Sequence, residues 1–557
     1  MKWTDKQQKV IDTRDRNILV SAAAGSGKTA VLVERIIKMI TDEENPNDVN
    51  QLLVVTFTRA AASEMKERIR EALEKMEEDN PNDLNVQKQL SLIHNANIST
   101  IDSFCARVVK DNFDKIDLDP NFRIADENEI EMLQSDIVEE MLEEYYLAAD
   151  DEFMELAEKY STGKTSDSIG ELILRMYKFA SGQIEPEKWI KEAISVYDVS
   201  SKEEMEQSKW MQGYLELQKN RLEGILSQLN IALTISESED GPKCAKALTP
   251  IIDKLQEITE SRTYSAMQSE LQNIPSTRVS GKKDCNERKK EQVKAIKNDA
   301  TKAIKDLTTK QFNLTLNQVF ESICETKSSV EYIGKLTLEF MKRLKEQKEE
   351  KGIMDFNDQA FFALHILNDY DKDGNLVPSE TAKNMATQFK EIMIDEYQDM
   401  SRPRYELIRA LRLQHDFSLF CVGDDWQSIY RFAGSDIHLI LDFDRIWRDW
   451  GPTRMFQITT TRRFRQSLID ASGTFVMRDT NLYVKHLHNP SDKKDYSLKA
   501  LGGHTAEERF NVIVEQLRKL PKTASVLLLG RYRSDINLMI RCDKDGLFSI
   551  DQSIGNI

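Results

Sequence analysis

No two of the six cysteines (Cys105, Cys244, Cys285, Cys324, Cys421 and Cys542) stand close together in the chain, so neither a zinc ribbon nor a disulfide framework is suggested. Reduced thiols in a cytoplasm are the expected state. Basic charge is in deficit, with 77 Lys and Arg against 94 Asp and Glu for a net charge of -17, so bulk charge supplies no footprint for a polyanion. A polyanion site would have to be a local basic channel. Met1-Lys2-Trp3-Thr4-Asp5 has no apolar signal core, and no apolar run approaches about 18 residues, so no membrane partner is expected. Internal repeats and low-complexity tracts are missing too. What remains is a chain of 557 residues, too long for one core and sized for roughly three or four domains.

Residues 1 to 108 have an α/β texture. Apolar strand candidates at 17–21 and 51–57 each end in a polar turn and run into a helical pattern, the second of which carries Glu64 with Arg68 and Glu71 with Lys75 at i, i+4. From 109 to 354 the pattern is long, charged, amphipathic helices. Asp126 with Glu129 marks a helix start, and Ile130, Leu133, Ile137 and Met141 form its buried stripe. Between 278 and 310 Lys290, Lys294, Lys297 and Lys305 share one helix face, which is either simply solvated or set against nucleic-acid backbone. The α/β texture returns at 355, with strand candidates at 391–396, 417–424, 454–461 and 525–532. A sheet interrupted by a helical insertion and then resumed is the simplest account.

Ala22-Ala23-Ala24-Gly25-Ser26-Gly27-Lys28-Thr29 joins the first strand candidate to a helix and reads as a phosphate-binding loop. Its glycines let backbone N–H groups wrap an anion, and the helix N-terminus adds its dipole. Lys28 can reach the outer phosphates, and the Thr29 hydroxyl can hold magnesium. Ala22 stands where the usual spacing has glycine. Ile392-Met393-Ile394-Asp395-Glu396 is an apolar strand that delivers two adjacent carboxylates, one for a metal and one for an attacking water. Because βαβ units run about 30 residues, the wide gap between loop and acids again demands an insertion. In Gly423-Asp424-Asp425-Trp426-Gln427-Ser428-Ile429-Tyr430-Arg431-Phe432, Gln427 can sense a γ-phosphate, while Tyr430 and Phe432 offer faces for bases. An arginine of Thr461-Arg462-Arg463-Phe464-Arg465 can serve as a finger on the transferred phosphate.

Six stretches in order resemble the motifs of UvrD-like superfamily 1 DNA helicases: Thr4-Asp5-Lys6-Gln7-Gln8, the 22–29 loop, Val55-Thr56-Phe57-Thr58-Arg59-Ala60-Ala61-Ala62-Ser63-Glu64-Met65, Ser99-Thr100-Ile101-Asp102-Ser103-Phe104, Ile394-Asp395-Glu396-Tyr397-Gln398-Asp399, and 423–430. That family's loop normally begins with alanine, as Ala22 does here. Residues 1 to 365, with Asp117-Leu118-Asp119-Pro120-Asn121-Phe122-Arg123-Ile124-Ala125-Asp126 and Met354-Asp355-Phe356-Asn357-Asp358, are similar to its AddA (helicase/nuclease) branch. From 385 on, the stretch through Arg431-Phe432-Ala433-Gly434-Ser435-Asp436 is more similar to the helicase IV branch, as in a mosaic.

The resemblance implies an α/β fold in which 1–108 and 355–440 form a RecA-like P-loop NTPase domain. A large all-helical insertion would occupy 109–354 and a partial second RecA-like domain 441–557. It implies an ATP-dependent, 3'-to-5' DNA helicase or translocase of repair or recombination, using ATP and Mg2+ on single-stranded or partly duplex DNA, cytoplasmic, and partnered by a second helicase/nuclease subunit. Residue by residue, Gln7 would read adenine, and Ala22, Ala23, Ala24, Gly25, Ser26, Gly27, Lys28 and Thr29 would hold phosphate. Thr29 and Asp395 would bind magnesium. Glu396 would orient water, Gln427 couple the γ-phosphate to DNA, and Arg463 act as the first arginine finger. Phe57, Thr58, Arg59, Tyr430 and Phe432 would lie along the DNA. Asp102, where many relatives have His, and Ala433, where many have Arg, depart from the pattern. The chain ends at Ile557 before the family's last two motifs, so the rival expectation is a truncated ATP- and DNA-binding protein with little unwinding activity.

Overall fold

The computed structural model describes residues 3–116, 122–160, 167–280, 285–413, 418–478, 481–491, 501–503, 505–521, 523, 526, 529–530 and 532–543. Of the stretches singled out above, 117–121 and half of 525–532 (525, 527, 528 and 531) lie outside them. Ten strands are formed among the described residues: β1 (Asn17–Ala22), β2 (Leu52–Thr56), β3 (Asn97–Thr100), β4 (Arg123–Ile124), β5 (Ile353–Met354), β6 (Asn368–Tyr370), β7 (Leu376–Pro378), β8 (Glu391–Ile394), β9 (Ser418–Gly423) and β10 (Thr453–Ile458).

Six of them make one parallel sheet in the order β10-β1-β9-β8-β2-β3. β1, β2 and β8 are buried along their whole length, which is why they read as unbroken apolar runs rather than alternating ones. The period of two survives as two separate cores. Leu19, Leu53, Val55, Ile392, Ile394 and Leu419 point to one face, while Ile18, Val20, Leu52, Val54, Met393 and Phe420 point to the other. The helix Lys28–Ile40 covers the second face through Val31, Leu32 and Ile36, and the helices Ile101–Asp111 and Arg402–Arg412 cover the first. The α/β class is thereby seen directly.

One buried ion pair ties this sheet to its helices. Arg35, fully buried, donates from Nε and Nη2 to Glu391 Oε1 at 2.9 and 2.8 Å, and from Nη1 to the Val10 carbonyl at 3.1 Å. Its guanidinium lies 4.5 Å from the centre of the Phe420 ring.

β3 and β8 belong to one sheet, yet the chain between them is a long run of helices. Two apolar clusters hold these together, one from Met205 to Phe312 and one from Ile137 to Leu344, with the 36-residue helix Leu316–Lys351 running alongside. Contrary to the expectation for 109–354, the region is not all helical. β4 and β5 pair in parallel where the chain leaves for these helices and where it returns, and the pairing satisfies backbone groups that would otherwise lie beside each other unbonded. Asp126 caps its helix by accepting from the Glu129 N–H at 2.9 Å, with Ile130, Ile137 and Met141 buried as the spacing predicts and Leu133 half-buried. On the lysine-rich helix Lys290 pairs with Glu287 at 3.0 Å and Lys294 with Glu291 at 3.6 Å, while Lys297 donates to the Thr277 carbonyl. Three of the four lysines, all but Lys305, thus have a local partner, which favours the solvated-face reading for them.

The chain divides into two compact units, the first comprising 1–23, 27–458 and 478–484, the second 24–26, 459–477 and 485–557. The first therefore runs past the boundary expected at 440. The strand candidate at 454–461 is β10, and β10 pairs with β1 from Asn17↔Thr453 to Ala22↔Ile458, so it completes the first sheet instead of opening a second. The second unit contains the helices Gln466–Val476, Ala506–Leu517 and Arg533–Cys542 and a bridge between Thr460 and His488 among its described residues.

Candidate functional site

All six strands of the parallel sheet run the same way, so their carboxyl ends share one edge, the place where ligands of such sheets bind. β1 ends there in the 22–29 loop. Gly25 and Gly27 adopt the left-handed conformation, with φ of +74° and +84°, which only glycine takes cheaply. Gly27 is the N-cap of the helix Lys28–Ile40 and supplies no side-chain cap, so the first-turn N–H groups are left for another acceptor. Beside Gly27 lies the Gln7 amide, with Nε2 3.3 Å from where a Cβ would stand. The Gln7 carbonyl oxygen accepts from Thr4 N at 3.0 Å in a capping box, which fixes the side chain's direction.

β8 brings Asp395 and Glu396 to the same edge. Lys28 Nζ lies 3.1 Å from Glu396 Oε2. Burial, and then the charge of Glu396, push Asp395 up to about 6, while Lys28 and a hydrogen bond with the Thr29 side chain pull it back. Asp395 and Thr29 thus sit together as one carboxylate and one hydroxyl, the small donor set with which a protein holds Mg2+ while waters and substrate phosphates fill the other positions. Glu396 has φ +53° and ψ +47°, a left-handed conformation that costs a non-glycine residue about 1–3 kcal/mol. Its N–H donates to Asp395 Oδ1 at 3.1 Å, and its carboxylate accepts from Gln398 Nε2 at 2.9 Å.

β9 delivers the third piece. Gln427 Nε2 donates to Asp424 Oδ2, and Asp425 accepts from Ser21 Oγ at 3.4 Å and Tyr483 N at 2.9 Å, which fastens the turn to β1. The turn leads to Tyr430, whose ring centre is 5.2 Å from that of Phe57 at the end of β2 and 5.9 Å from that of Phe432. Phe432 is 76 % exposed. Thr58 caps the helix Arg59–Asp79 by accepting from the Ala61 N–H at 3.2 Å, and Thr58 and Arg59 are exposed. Gln7, Gly27, Lys28, Thr29, Asp395, Glu396, Gln427, Phe57, Tyr430 and Phe432 all belong to the first unit.

Ala24, Gly25 and Ser26 group with the second unit, as does Arg463. There Thr461 Oγ1 donates to the Ala24 carbonyl at 2.7 Å, and Arg462 N donates to the Gly25 carbonyl at 3.3 Å. A Cβ on Gly25 would collide with Arg463 Cβ and come within 3.0 Å of Thr461 Oγ1. Gly25→Ala is therefore expected to cost about 1–3 kcal/mol from backbone strain and crowding together. Urea denaturation reads this out, and an unchanged midpoint would refute the contact.

Three groups escaped the sequence reading of roles. Gln398 and Asp399 stand in the Asp395 stretch and are buried, with burial and Glu396 pushing Asp399 up to about 6. Asp102 ion-pairs with Arg404 at 2.8 Å, which gives the carboxylate at this position a partner. In sequence, a Gln or Asp after a strand looks like any polar turn.

The family model for the UvrD/REP helicase N-terminal domain matches residues 3–446. Similar curated proteins are the ATP-dependent helicase/nuclease A-subunits of Lachnoclostridium phytofermentans, 40% identical over 491 residues (85% of this chain, 35% of the relative), and of Clostridium beijerinckii, 38% identical over 479 residues (84% and 38%). A third, from Thermoanaerobacter sp., is 40% identical over 446 residues, covering 79% of this chain and 36% of that one. The chain spans a little over a third of the length of these relatives. With the loop, the paired acids and the glutamine-bearing turn on one sheet edge, and the family model matched from residue 3 to residue 446, the chain belongs to the UvrD/REP helicase family.

Proposed function

We propose that this chain carries the ATP-binding machinery of an ATP-dependent DNA helicase or translocase acting in DNA repair or recombination. The observation that carries the reading is the meeting of Lys28 and Thr29 with Asp395 and Glu396 at a helix N-terminus with no side-chain cap. In RecA-like terms the sheet is the first motor domain, the helices between β3 and β8 are its insertion, and the second unit is part of a second RecA-like domain.

Each side chain then has a task. Gln7 recognises adenine, the N–H groups of 22–29 and Lys28 hold the phosphates, and Thr29 with Asp395 holds Mg2+. The metal, when bound, neutralises charge on the phosphates. Glu396 aligns the attacking water and takes its proton. Gln427 senses the γ-phosphate and Arg463 stabilises charge on the transferred group. Phe57, Thr58, Arg59, Tyr430 and Phe432 form the DNA side, where bases stack on the half-buried rings of Phe57 and Tyr430 and the exposed ring of Phe432. Translocation runs 3' to 5', in the cytoplasm. The relatives are named as one lettered component of a helicase/nuclease, which points to a second component as partner.

A DNA-stimulated ATPase assay tests this. Phosphate release that rises with single-stranded DNA and vanishes in Lys28→Ala is expected; release no greater than that of Lys28→Ala would sink the enzyme reading.

A further inference from the structure

Gln398 is 2 % exposed, and all of its side-chain amide is engaged. Nε2 donates to Glu396 Oε2 at 2.9 Å and to Asp399 Oδ2 at 3.1 Å, while Oε1 accepts from the Asp424 N–H at 2.9 Å. The orientation is forced by chemistry. Flipped, the amide would set its oxygen against two carboxylates and its NH2 against an N–H donor. The Gln398 carbonyl also accepts from Ser428 Oγ at 3.4 Å. Gly423 allows this close approach, since a Cβ there would lie 2.8 Å from Gln398 Oε1.

One rigid group is therefore bonded at one end to the carboxylate that faces Lys28 and at the other to the turn that carries Gln427 and Tyr430. On a third side Asp399 joins Thr56, Phe57 and Arg404 in lining a narrow cavity at the ends of β2 and β8, and its buried Oδ1 has no hydrogen-bond partner among the described residues. We propose that Gln398 is the positioning residue that transmits occupancy of the Phe57–Tyr430 surface by single-stranded DNA to Glu396. A shift of the 424–430 turn pulls on the amide, and the amide turns the Glu396 carboxylate. This rests on the ATP and DNA reading of the site. What supports it is a continuous hydrogen-bonded path whose middle member has one allowed orientation.

Two variants of the full chain test it. Gln398→Met keeps the volume and Gln398→Leu nearly so; both lose all three bonds without setting a third carboxylate against Glu396 and Asp399. For both, affinity for a non-hydrolysable ATP analogue with Mg2+, and for single-stranded DNA, each measured alone, is expected within roughly 3-fold of wild type. The factor by which DNA changes analogue affinity, and by which it stimulates kcat, is expected to fall about 10-fold or more toward one, with KM for ATP little changed. Undiminished coupling in both variants would overturn the proposal. So would a joint fall of analogue binding, DNA binding and unfolding midpoint, the mark of a purely structural role. A wild-type chain with no Lys28-dependent analogue binding would sink the reading of the site and the coupling with it, whereas intact binding with undiminished coupling sinks the coupling alone.

Discussion

Glu396→Gln is expected to lower DNA-stimulated ATP turnover by about 10²–10⁴-fold while leaving nucleotide affinity within a few-fold of wild type. The substitution is nearly isosteric and removes the one property a base requires, an ionised oxygen. Lys28, 3.1 Å away, can still be met by an amide oxygen, so the loop is not released. The left-handed backbone at Glu396 is held from several directions, by the Asp395 carboxylate on its N–H and by Gln398 and Lys28 on its side chain. Such over-determination keeps a strained residue in place, so folding should change little. Single-turnover phosphate release and equilibrium binding of a fluorescent ATP analogue separate the two effects. Turnover that survives, or binding that collapses in parallel, would take the water-orienting role from Glu396.

The largest stability effect is expected at Arg35. Arg35→Met strands Glu391, which is 2 % exposed, as an uncompensated carboxylate inside the sheet. It also strips donors from the end of the helix Asp5–Asp12, because Arg35 holds the carbonyls of Val10, Ile11 and Thr13. Breaking one side of a buried pair typically costs about 3–5 kcal/mol. The double variant Arg35→Met with Glu391→Met should recover much of that loss, since no buried charge is then left alone. Urea denaturation of the single and double variants measures it. A loss for the single variant of under about 1 kcal/mol would show that the pair has little net value.

The parts of this fold that the sequence makes legible share a property: local composition reports them. β1, β2 and β8 are apolar runs ending in turns, and the loop after β1 has glycines where the backbone goes left-handed. The acids at 395 and 396 are readable because an apolar strand delivers them. The helical stretch is readable as helix, but not the β4–β5 pair at its root, since two residues carry no periodicity. Nor does periodicity say which sheet a strand joins. β10 is visible as a strand, yet its place beside β1 follows from the empty edge of that strand, a tertiary fact. Gln398 is the sharpest case: its neighbours in space, Glu396 and Asp424, belong to different strand ends, so its role exists only once β8 and β9 are side by side.

The position of β1 has a consequence in time. Both of its neighbours are made late, for Ile18 pairs with Phe420 on one side and Arg454 on the other. At the usual synthesis rate of about 5–20 residues per second, the strand that feeds the phosphate loop leaves the ribosome roughly 20–80 s before either partner exists. Throughout that interval it is an apolar segment with two open edges, a template for wrong pairing. The cluster from Met205 to Phe312 can close as soon as its own helices have emerged, whereas the one begun at Ile137 waits for Tyr332 to Leu344 of the helix Leu316–Lys351. The nascent chain is thus most in need of a chaperone at its beginning.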